Sequence, residues 1–175
     1  MGTVGKTNPR IWIVILMGVS GSGKTTIGKL LAKDLGWRFF EGDYFHPQTN
    51  VDKMRRGIPL SDEDRAPWLE AVRKLIQELI DRSQRAVITC SALKQAYRDR
   101  LTEDLPRVAL VYLRGDYELI RQRLETRKTH FMKVDLLASQ FQTLEEPRDI
   151  PFVSIAQAPD LIVRQIKRRL ELTPM

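Results

Sequence analysis

The chain has 175 residues, of which 42% are hydrophobic, so it is long and apolar enough for one domain with a core. Its 29 lysine and arginine residues outnumber its 22 aspartate and glutamate residues, and the net charge of +7 suits an anionic small molecule as well as nucleic acid. Acidic residues are mixed with the basic ones and Cys90 is the only cysteine, so we expect no nucleic-acid partner, no internal disulfide and a cytoplasmic setting.

The chain begins with a polar segment and a short apolar run. Residues 1–10 contain no apolar signal-peptide core, and we expect them to form a flexible tail before a single domain at 11–175. Residues 11–19 are far shorter than the roughly 20 residues that cross a bilayer. We therefore expect a buried strand at 11–17 and no membrane partner.

A phosphate-binding loop follows this strand. Residues 18–25 match the pattern G-x-x-x-x-G-K-S/T and precede a helical pattern that ends at Gly36. Because Gly21 and Gly23 lack a Cβ, the backbone can curl around an anion with its N–H groups pointing inward. We expect Lys24 to contact the β and γ phosphates of ATP and Thr25 to ligate Mg²⁺; a glycine-rich turn that binds nothing is the alternative. The expected nucleotide contacts are Gly18, Val19, Ser20, Gly21, Ser22, Gly23, Lys24, Thr25 and Thr26.

The remaining elements alternate between strands and helices. A second strand at 37–40 leads to an acidic Glu41-Gly42-Asp43 edge, and a polar region follows in which Pro47, Gly57, Pro59 and Pro67 are expected to interrupt regular structure. A capping box at Ser61 predicts a helix to about residue 81. Further strands are expected at 86–90, 108–113 and 152–155. This alternation predicts a three-layer α/β/α fold with a parallel five-stranded sheet.

The most basic part of the chain lies at 121–133, and a second helical pattern follows it. Two helical pieces around a cationic loop predict a helical lid at about 127–142 that folds over the phosphates.

Two missing motifs distinguish this chain from motor ATPases and guanine-nucleotide switches. The third strand ends in Thr89-Cys90-Ser91, without the Mg²⁺-binding aspartate typical of motors and switches, and the guanine signature N-K-x-D is absent. A carboxylate at the second strand edge and a basic lid favour phosphoryl transfer to a small molecule.

Several segments occur in a characteristic order and spacing: residues 18–26, 41–47, 50–54, 57–65 with 67–69, 90–94 with 97–99, 127–128 with 130–131, and 139–147. Together they resemble the thermoresistant-type gluconokinases. The resemblance covers about residues 11–150 in order, and implies a P-loop kinase fold related to shikimate and adenylate kinases, ATP:D-gluconate 6-phosphotransferase activity with Mg²⁺, and often a homodimer. Thr129 departs from the family's usual glycine, and a stiffer backbone there could slow lid closure.

The acidic edge and the turn after it supply two candidates for substrate chemistry. Asp43 is expected to act as general base, or to influence Mg²⁺ without binding it directly; a turn or capping aspartate is the alternative. His46 could hydrogen-bond a polyol or its carboxylate, and a surface histidine in a turn is the alternative.

Cations and one amide complete the expected site. Gluconate is an anion with several hydroxyls, so Arg65, Lys94, Arg98 and Gln140 are candidates for contacting it, although each cation could equally form an ordinary surface ion pair. The resemblance implies that Arg123 lies near the adenine, that Arg127 reaches the transferring phosphate, and that His130 belongs to the lid, where we count it among the substrate contacts. A solvated charged face is the alternative for Arg123 and Arg127.

Two other functions remain open from the sequence. The first is another small-molecule kinase of the same architecture, such as a shikimate or nucleotide kinase. The second is a nucleotide-dependent nucleic-acid-binding module, which the charge of +7 motivates and the lack of a basic tract disfavours.

Overall fold

The computed structural model describes residues 10–126 and 134–174, which form five strands and seven helices. The strands are β1 (Ile13–Met17), β2 (Arg38–Glu41), β3 (Ala86–Thr89), β4 (Val108–Arg114) and β5 (Phe152–Ser154). The helices are α1 (Lys24–Leu35), α2 (Gln48–Arg55), α3 (Asp62–Asp81), α4 (Gln95–Thr102), α5 (Tyr117–Thr126), α6 (Val134–Thr143) and α7 (Pro159–Arg169), and a short 3₁₀ turn spans Gly42–Phe45.

All five strands run parallel in the order β2-β3-β1-β4-β5. The predicted parallel five-stranded sheet is therefore confirmed. The order reverses at β1, so the loop after β1 lies at the switch point where open α/β sheets bind ligands. In the register, Leu16 of β1 and Glu41 of β2 both align with Thr89 of β3, which brings three strand ends to one edge.

The two faces of β1 build two separate cores. Successive strand residues point to opposite faces of a sheet. Val14 and Leu16 pack in one cluster with side chains of α1, α5, α6 and α7. Ile13, Ile15 and Met17 pack in the other with side chains of α3 and α4. Helices thus cover both faces, as a sheet of uniformly apolar strands requires, and the predicted three layers are confirmed.

Helix α3 begins where its capping box predicts. The Ser61 hydroxyl accepts a hydrogen bond from the Asp64 amide at 3.2 Å, and the Asp64 carboxylate accepts one from the Ser61 amide at 2.9 Å. The expectation that Pro67 interrupts regular structure is wrong, because α3 continues through it. Trp68 and Leu69 directly after the proline are almost fully buried, and their packing offsets the hydrogen bond that the proline cannot donate.

No helix within the described ranges combines the length and the apolar character needed to span a bilayer.

Candidate active site

The phosphate loop lies at the carboxyl end of β1 and leads directly into α1, which begins at Lys24. Gly21 adopts a φ of 79°, and a Cβ there would come within 2.9 Å of Leu124 and 3.0 Å of Ile120 on α5. The loop is therefore pressed against α5, and a larger residue at position 21 would both strain the backbone and displace that helix. In the part of the chain that the structure describes, no side chain caps the start of α1, and the N-terminus of a helix is suited to an anion.

The Lys24 ammonium lies across the loop. Its Nζ donates to the carbonyl oxygens of Gly18 and Val19, both at 3.0 Å. Burial lowers the pKa of Lys24, while the carboxylates of Asp43 and Glu41 act in the opposite direction. The ammonium is thus held between the loop and two carboxylates, where it can compensate the charge of a phosphate.

Thr25 and Glu41 place oxygen atoms next to the loop. The Thr25 hydroxyl donates to Glu41 Oε2 at 2.6 Å, and the Thr89 hydroxyl donates to Glu41 Oε1. Within the described ranges, no group of three or more His, Cys, Asp or Glu residues is placed to hold a metal. A hydroxyl and a carboxylate fit Mg²⁺, which takes few protein ligands and draws the others from water and phosphate. Glu41 was not among the site residues predicted from the sequence, although its place two residues before Asp43, at the end of a strand, was a signal for it.

Gly42 allows β2 to approach β3 closely. A Cβ on Gly42 would lie 1.9 Å from the carbonyl oxygen of Thr89, so only glycine fits there. The Gly42 amide donates to the Thr89 hydroxyl at 3.1 Å, and the Trp68 indole donates to the Gly42 carbonyl at 2.9 Å. These contacts fix the 3₁₀ turn that carries Asp43 toward the loop. Trp68, which is 1% exposed, therefore has a packing role.

Two adjoining cavities open beside these residues. The larger one, which we call the phosphate cleft, has a volume of about 800 Å³ and is lined by the loop, Glu41, Asp43, Tyr44 and α2. The smaller one has a volume of about 60 Å³. We call it the inner cavity, and it brings together six of the candidate residues: Ser20, Lys24, Asp43, His46, Arg65 and Gln140.

The His46 ring forms one wall of both cavities. It stacks on Trp68, with the ring centroids 4.2 Å apart and an angle of 15° between the planes. Burial lowers the pKa of His46 to about 4, and the positive charge of Arg65 acts in the same direction. His46 is therefore neutral at physiological pH and offers hydrogen bonds rather than a charge.

Arg65 on α3 brings a permanent positive charge to the inner cavity. Its Nη1 donates to the Tyr97 hydroxyl at 3.3 Å, and its guanidinium lies 5.7 Å from the centre of the Tyr97 ring. The Tyr97 hydroxyl in turn donates to Asp62. A guanidinium held in this way is suited to a carboxylate.

Gln140 links α6 to the phosphate loop. Its Oε1 accepts a hydrogen bond from the Ser20 amide at 2.7 Å. The contact joins residues 120 positions apart in the sequence and places α6 over the inner cavity.

Three other candidate residues have different surroundings. Lys94 pairs with Asp62 at 2.8 Å near the surface, and Arg123 donates to the Ile155 carbonyl at 2.7 Å. Arg98 is 2% exposed, and its five N–H donors go to the carbonyls of Ala92, Leu93 and Glu145 and to the side chain of Gln95. In this arrangement Arg98 has no donor left for a ligand, so it holds the segment after α6 against the loop before α4. None of the three lines either cavity.

Two further candidates, Arg127 and His130, lie outside the described residues, as does the part of the expected lid at 127–133. The rest of that segment belongs to α6. The role of each of these two residues stays a prediction.

The chain matches known proteins over nearly its full length. The family model described as shikimate kinase matches residues 20–165. The thermoresistant gluconokinase of Escherichia coli (strain K12) is 42% identical over 165 residues, which cover 94% of this chain and 90% of that protein. The thermosensitive gluconokinase of the same organism is 52% identical over 134 residues, which cover 77% of this chain and 72% of that protein.

Solved structures give the same result. A gluconokinase from Sinorhizobium meliloti 1021 has a TM-score of 0.83 at 40% identity and covers 94% of this chain and 93% of its own. A shikimate kinase from Aquifex aeolicus, at 19% identity and a TM-score of 0.59, shares the fold. The phosphate loop, the acidic strand edge and this degree of identity agree, and the chain belongs to the gluconokinase family.

Proposed function

We propose that the protein transfers the γ-phosphoryl group of ATP to the 6-hydroxyl of D-gluconate, giving 6-phospho-D-gluconate and ADP. The observation that carries this proposal is the inner cavity, where Lys24, Asp43, His46 and Arg65 meet beside the phosphate loop. A cation for phosphate, a carboxylate for a hydroxyl proton and a guanidinium for a carboxylate are the groups that this reaction needs. The relatives named gluconokinase support the choice of the sugar acid.

Asp43 is the proposed general base. It lines both cavities and so stands between the space for phosphates and the space for the acceptor. A carboxylate there accepts the proton of the attacking hydroxyl while Lys24 compensates charge on the transferring group. Arg65 is proposed to bind the gluconate carboxylate, because its guanidinium is a permanent positive charge in the lining of the inner cavity.

Arg127 and His130 are proposed to act from the lid, at about residues 127–142. The contact of Gln140 with the Ser20 amide supports this proposal, because it holds the end of α6 next to the phosphate loop. Arg123 is proposed to lie near the adenine, next to the end of β5 where it binds the Ile155 carbonyl. For Lys94 the observed ion pair with Asp62 supports a surface role rather than a substrate contact.

Mg²⁺ is proposed to bind at Thr25 and Glu41, where it would neutralise phosphate charge. Glu41→Gln removes the carboxylate that accepts from two hydroxyls. We expect the Mg²⁺ concentration for half-maximal activity to rise about tenfold, with little change in the maximal rate at high Mg²⁺. A Mg²⁺ titration of the activity measures this. Glu70→Gln, which removes an exposed partner of Arg100, is the control, and an unchanged Mg²⁺ requirement in Glu41→Gln would exclude this site.

The decisive experiment is a coupled ADP-release assay with MgATP and a panel of acceptors. We expect turnover with D-gluconate and none above background with shikimate or nucleoside monophosphates. Shikimate belongs in the panel because the matching family model carries that description. Turnover with one of the other acceptors and not with gluconate would refute the proposal and identify a different kinase of this fold.

The assembly and location are also proposals. We propose a cytoplasmic homodimer, which the resemblance to gluconokinases supports and which suits a chain whose single cysteine, Cys90, is fully buried. Light scattering after gel filtration would measure the mass in solution. A mass of one 20.3 kDa chain at all concentrations would refute the dimer.

A further inference from the structure

The inference concerns Asn50 on α2, which lies behind the His46 ring. Asn50 is 1% exposed, and its side chain lies between two partners. Its Nδ2 is 2.7 Å from the carbonyl oxygen of Asp64 and 3.2 Å from His46 Nδ1. A buried polar side chain with these two contacts is held in one orientation.

The Asp64 carbonyl decides which way the Asn50 amide points. A backbone carbonyl only accepts hydrogen bonds, so the amide nitrogen, and not the amide oxygen, must face it at 2.7 Å. The same nitrogen carries a second hydrogen, which is directed to His46 Nδ1. Nδ1 must then accept, and the single proton of the neutral ring sits on Nε2.

The surroundings of the ring keep it neutral. His46 stacks on Trp68, whose indole is itself anchored to the Gly42 carbonyl. Arg65 from α3 opposes protonation of the ring. The other charged groups that line a cavity together with His46 are Lys24 of α1, Glu41 of β2, Asp43 of the 3₁₀ turn and Arg55 of α2. Burial and Arg65 together lower the pKa of His46 to about 4, which agrees with a neutral ring.

Nε2 is the polar atom that remains for a ligand. It has no hydrogen-bond partner within residues 10–126 and 134–174, and the ring lines both the phosphate cleft and the inner cavity. We infer that Asn50 is a positioning residue that holds His46 as the neutral Nε2–H tautomer, so that His46 donates one hydrogen bond to a hydroxyl of the acceptor. The identity of that acceptor as a sugar acid rests on the proposed function, whereas the tautomer does not.

Nitrogen NMR of the full chain labelled with ¹⁵N-histidine tests the tautomer directly. The chain has 2 histidines, so a His46→Gln sample assigns the spectrum by the signals it lacks. For His46 we expect a protonated Nε2 and an unprotonated Nδ1, with no change between about pH 7 and pH 5, where an ordinary histidine titrates. A protonated Nδ1, or a doubly protonated ring at pH 7, would overturn the inference.

Asn50→Asp tests the positioning role. A carboxylate at position 50 accepts from Nδ1–H, so we expect the Nδ1 of His46 to become protonated and its pKa to rise. The KM for gluconate should then depend on pH in the range where His46 titrates, while the KM for ATP stays constant. An unchanged tautomer and an unchanged KM in the folded variant would overturn the role of Asn50. If the variant does not fold, the spectrum of the unaltered protein decides.

A pair of substitutions at His46 tests the hydrogen bond to the acceptor. A glutamine amide can place its nitrogen near the position of Nε2, and the shorter asparagine cannot. We expect the KM for gluconate to rise about threefold or less in His46→Gln and about tenfold in His46→Asn, with kcat nearly constant in both. Equal losses in the two variants would refute donation from Nε2. If the expected tautomer is found but gluconate is not turned over, the proposed function fails and the assignment of the tautomer stands.

Discussion

The phosphate loop and the inner cavity lie side by side but are built in opposite ways. The loop is one continuous segment, residues 18–25, and its geometry follows from glycines and a helix start within that segment. The inner cavity takes Asp43 and His46 from the turn after β2, Arg65 from α3 and Gln140 from α6. The loop is a local structure, whereas the cavity exists only because distant elements pack together.

This difference explains how general each region is. Backbone amides at a helix N-terminus can bind a phosphate whatever the acceptor is. A shikimate kinase at 19% identity shares the fold. The cavity walls are side chains held by other side chains, such as Trp68 under His46 and Tyr97 beside Arg65. We therefore expect mutations around the cavity to alter the KM for the acceptor more than the KM for ATP.

The largest effect is expected in the loop. Lys24→Ala removes the ammonium that donates to the carbonyl oxygens of Gly18 and Val19 and that we propose to contact the phosphates. We expect the turnover number to fall by about 10³ or more, with the fold retained, because a preorganised charge next to the transferring group is lost. Steady-state kinetics and circular dichroism measure both. Lys33→Ala in the last turn of the same helix is the matched control, and near-normal activity of Lys24→Ala would contradict the assignment of the loop.

The second-largest loss of activity is expected at Asp43, which lines both the phosphate cleft and the inner cavity. Asp43→Asn keeps the shape of the side chain but cannot accept the hydroxyl proton. We expect kcat to fall by at least about 10², with a smaller change in KM for ATP. Asp52→Asn on the exposed side of α2 is the control. An unchanged kcat would assign Asp43 a purely structural role.

A substitution at Arg98 tests how much the buried hydrogen bonds between the loop before α4 and the segment after α6 contribute to stability. Arg98→Met keeps the aliphatic stem and leaves the carbonyls of Ala92, Leu93 and Glu145 without their donor. We expect the free energy of unfolding to fall by about 2 kcal/mol, because buried carbonyls lose charged hydrogen-bond donors. Denaturant unfolding measures it. Arg73→Met is matched, since Arg73 also donates to two carbonyls but at the surface, and an equal loss in both variants would contradict the importance of burial.

The smallest effect is expected at Lys94. Its ammonium pairs with an exposed Asp62 and lies outside the lining of both cavities. We expect Lys94→Ala to change the KM for gluconate by less than about fivefold, as is typical of losing a surface ion pair. A rise of more than this, with kcat constant, would restore Lys94 as a substrate contact. Arg65→Ala in the same assay gives the effect of losing a cation that does line the inner cavity.

Most of the fold could be predicted because its signals are local. Uniformly apolar runs, a glycine after α1 and a capping box at Ser61 each act within a few residues, and the structure agrees with them to within about two residues. Pro67 is the exception. A proline disfavours a helix locally, yet α3 continues through Pro67. The burial of Trp68 and Leu69 stabilises the helix there, and that burial depends on the sheet against which they pack.

The sequence by itself determined the phosphate loop, the alternation of strands and helices, and the acidic edge after β2, because each depends on neighbouring residues. Only the tertiary structure decided what the isolated polar residues do. Arg98 was predicted to contact the substrate, but it is buried and donates to backbone carbonyls. Glu41 was not predicted as a site residue, but it accepts hydrogen bonds from Thr25 and Thr89. Asn50 acquires its role through a carbonyl 14 residues away. The sequence gives the chemical type of each side chain, but packing of distant elements decides which groups that side chain contacts.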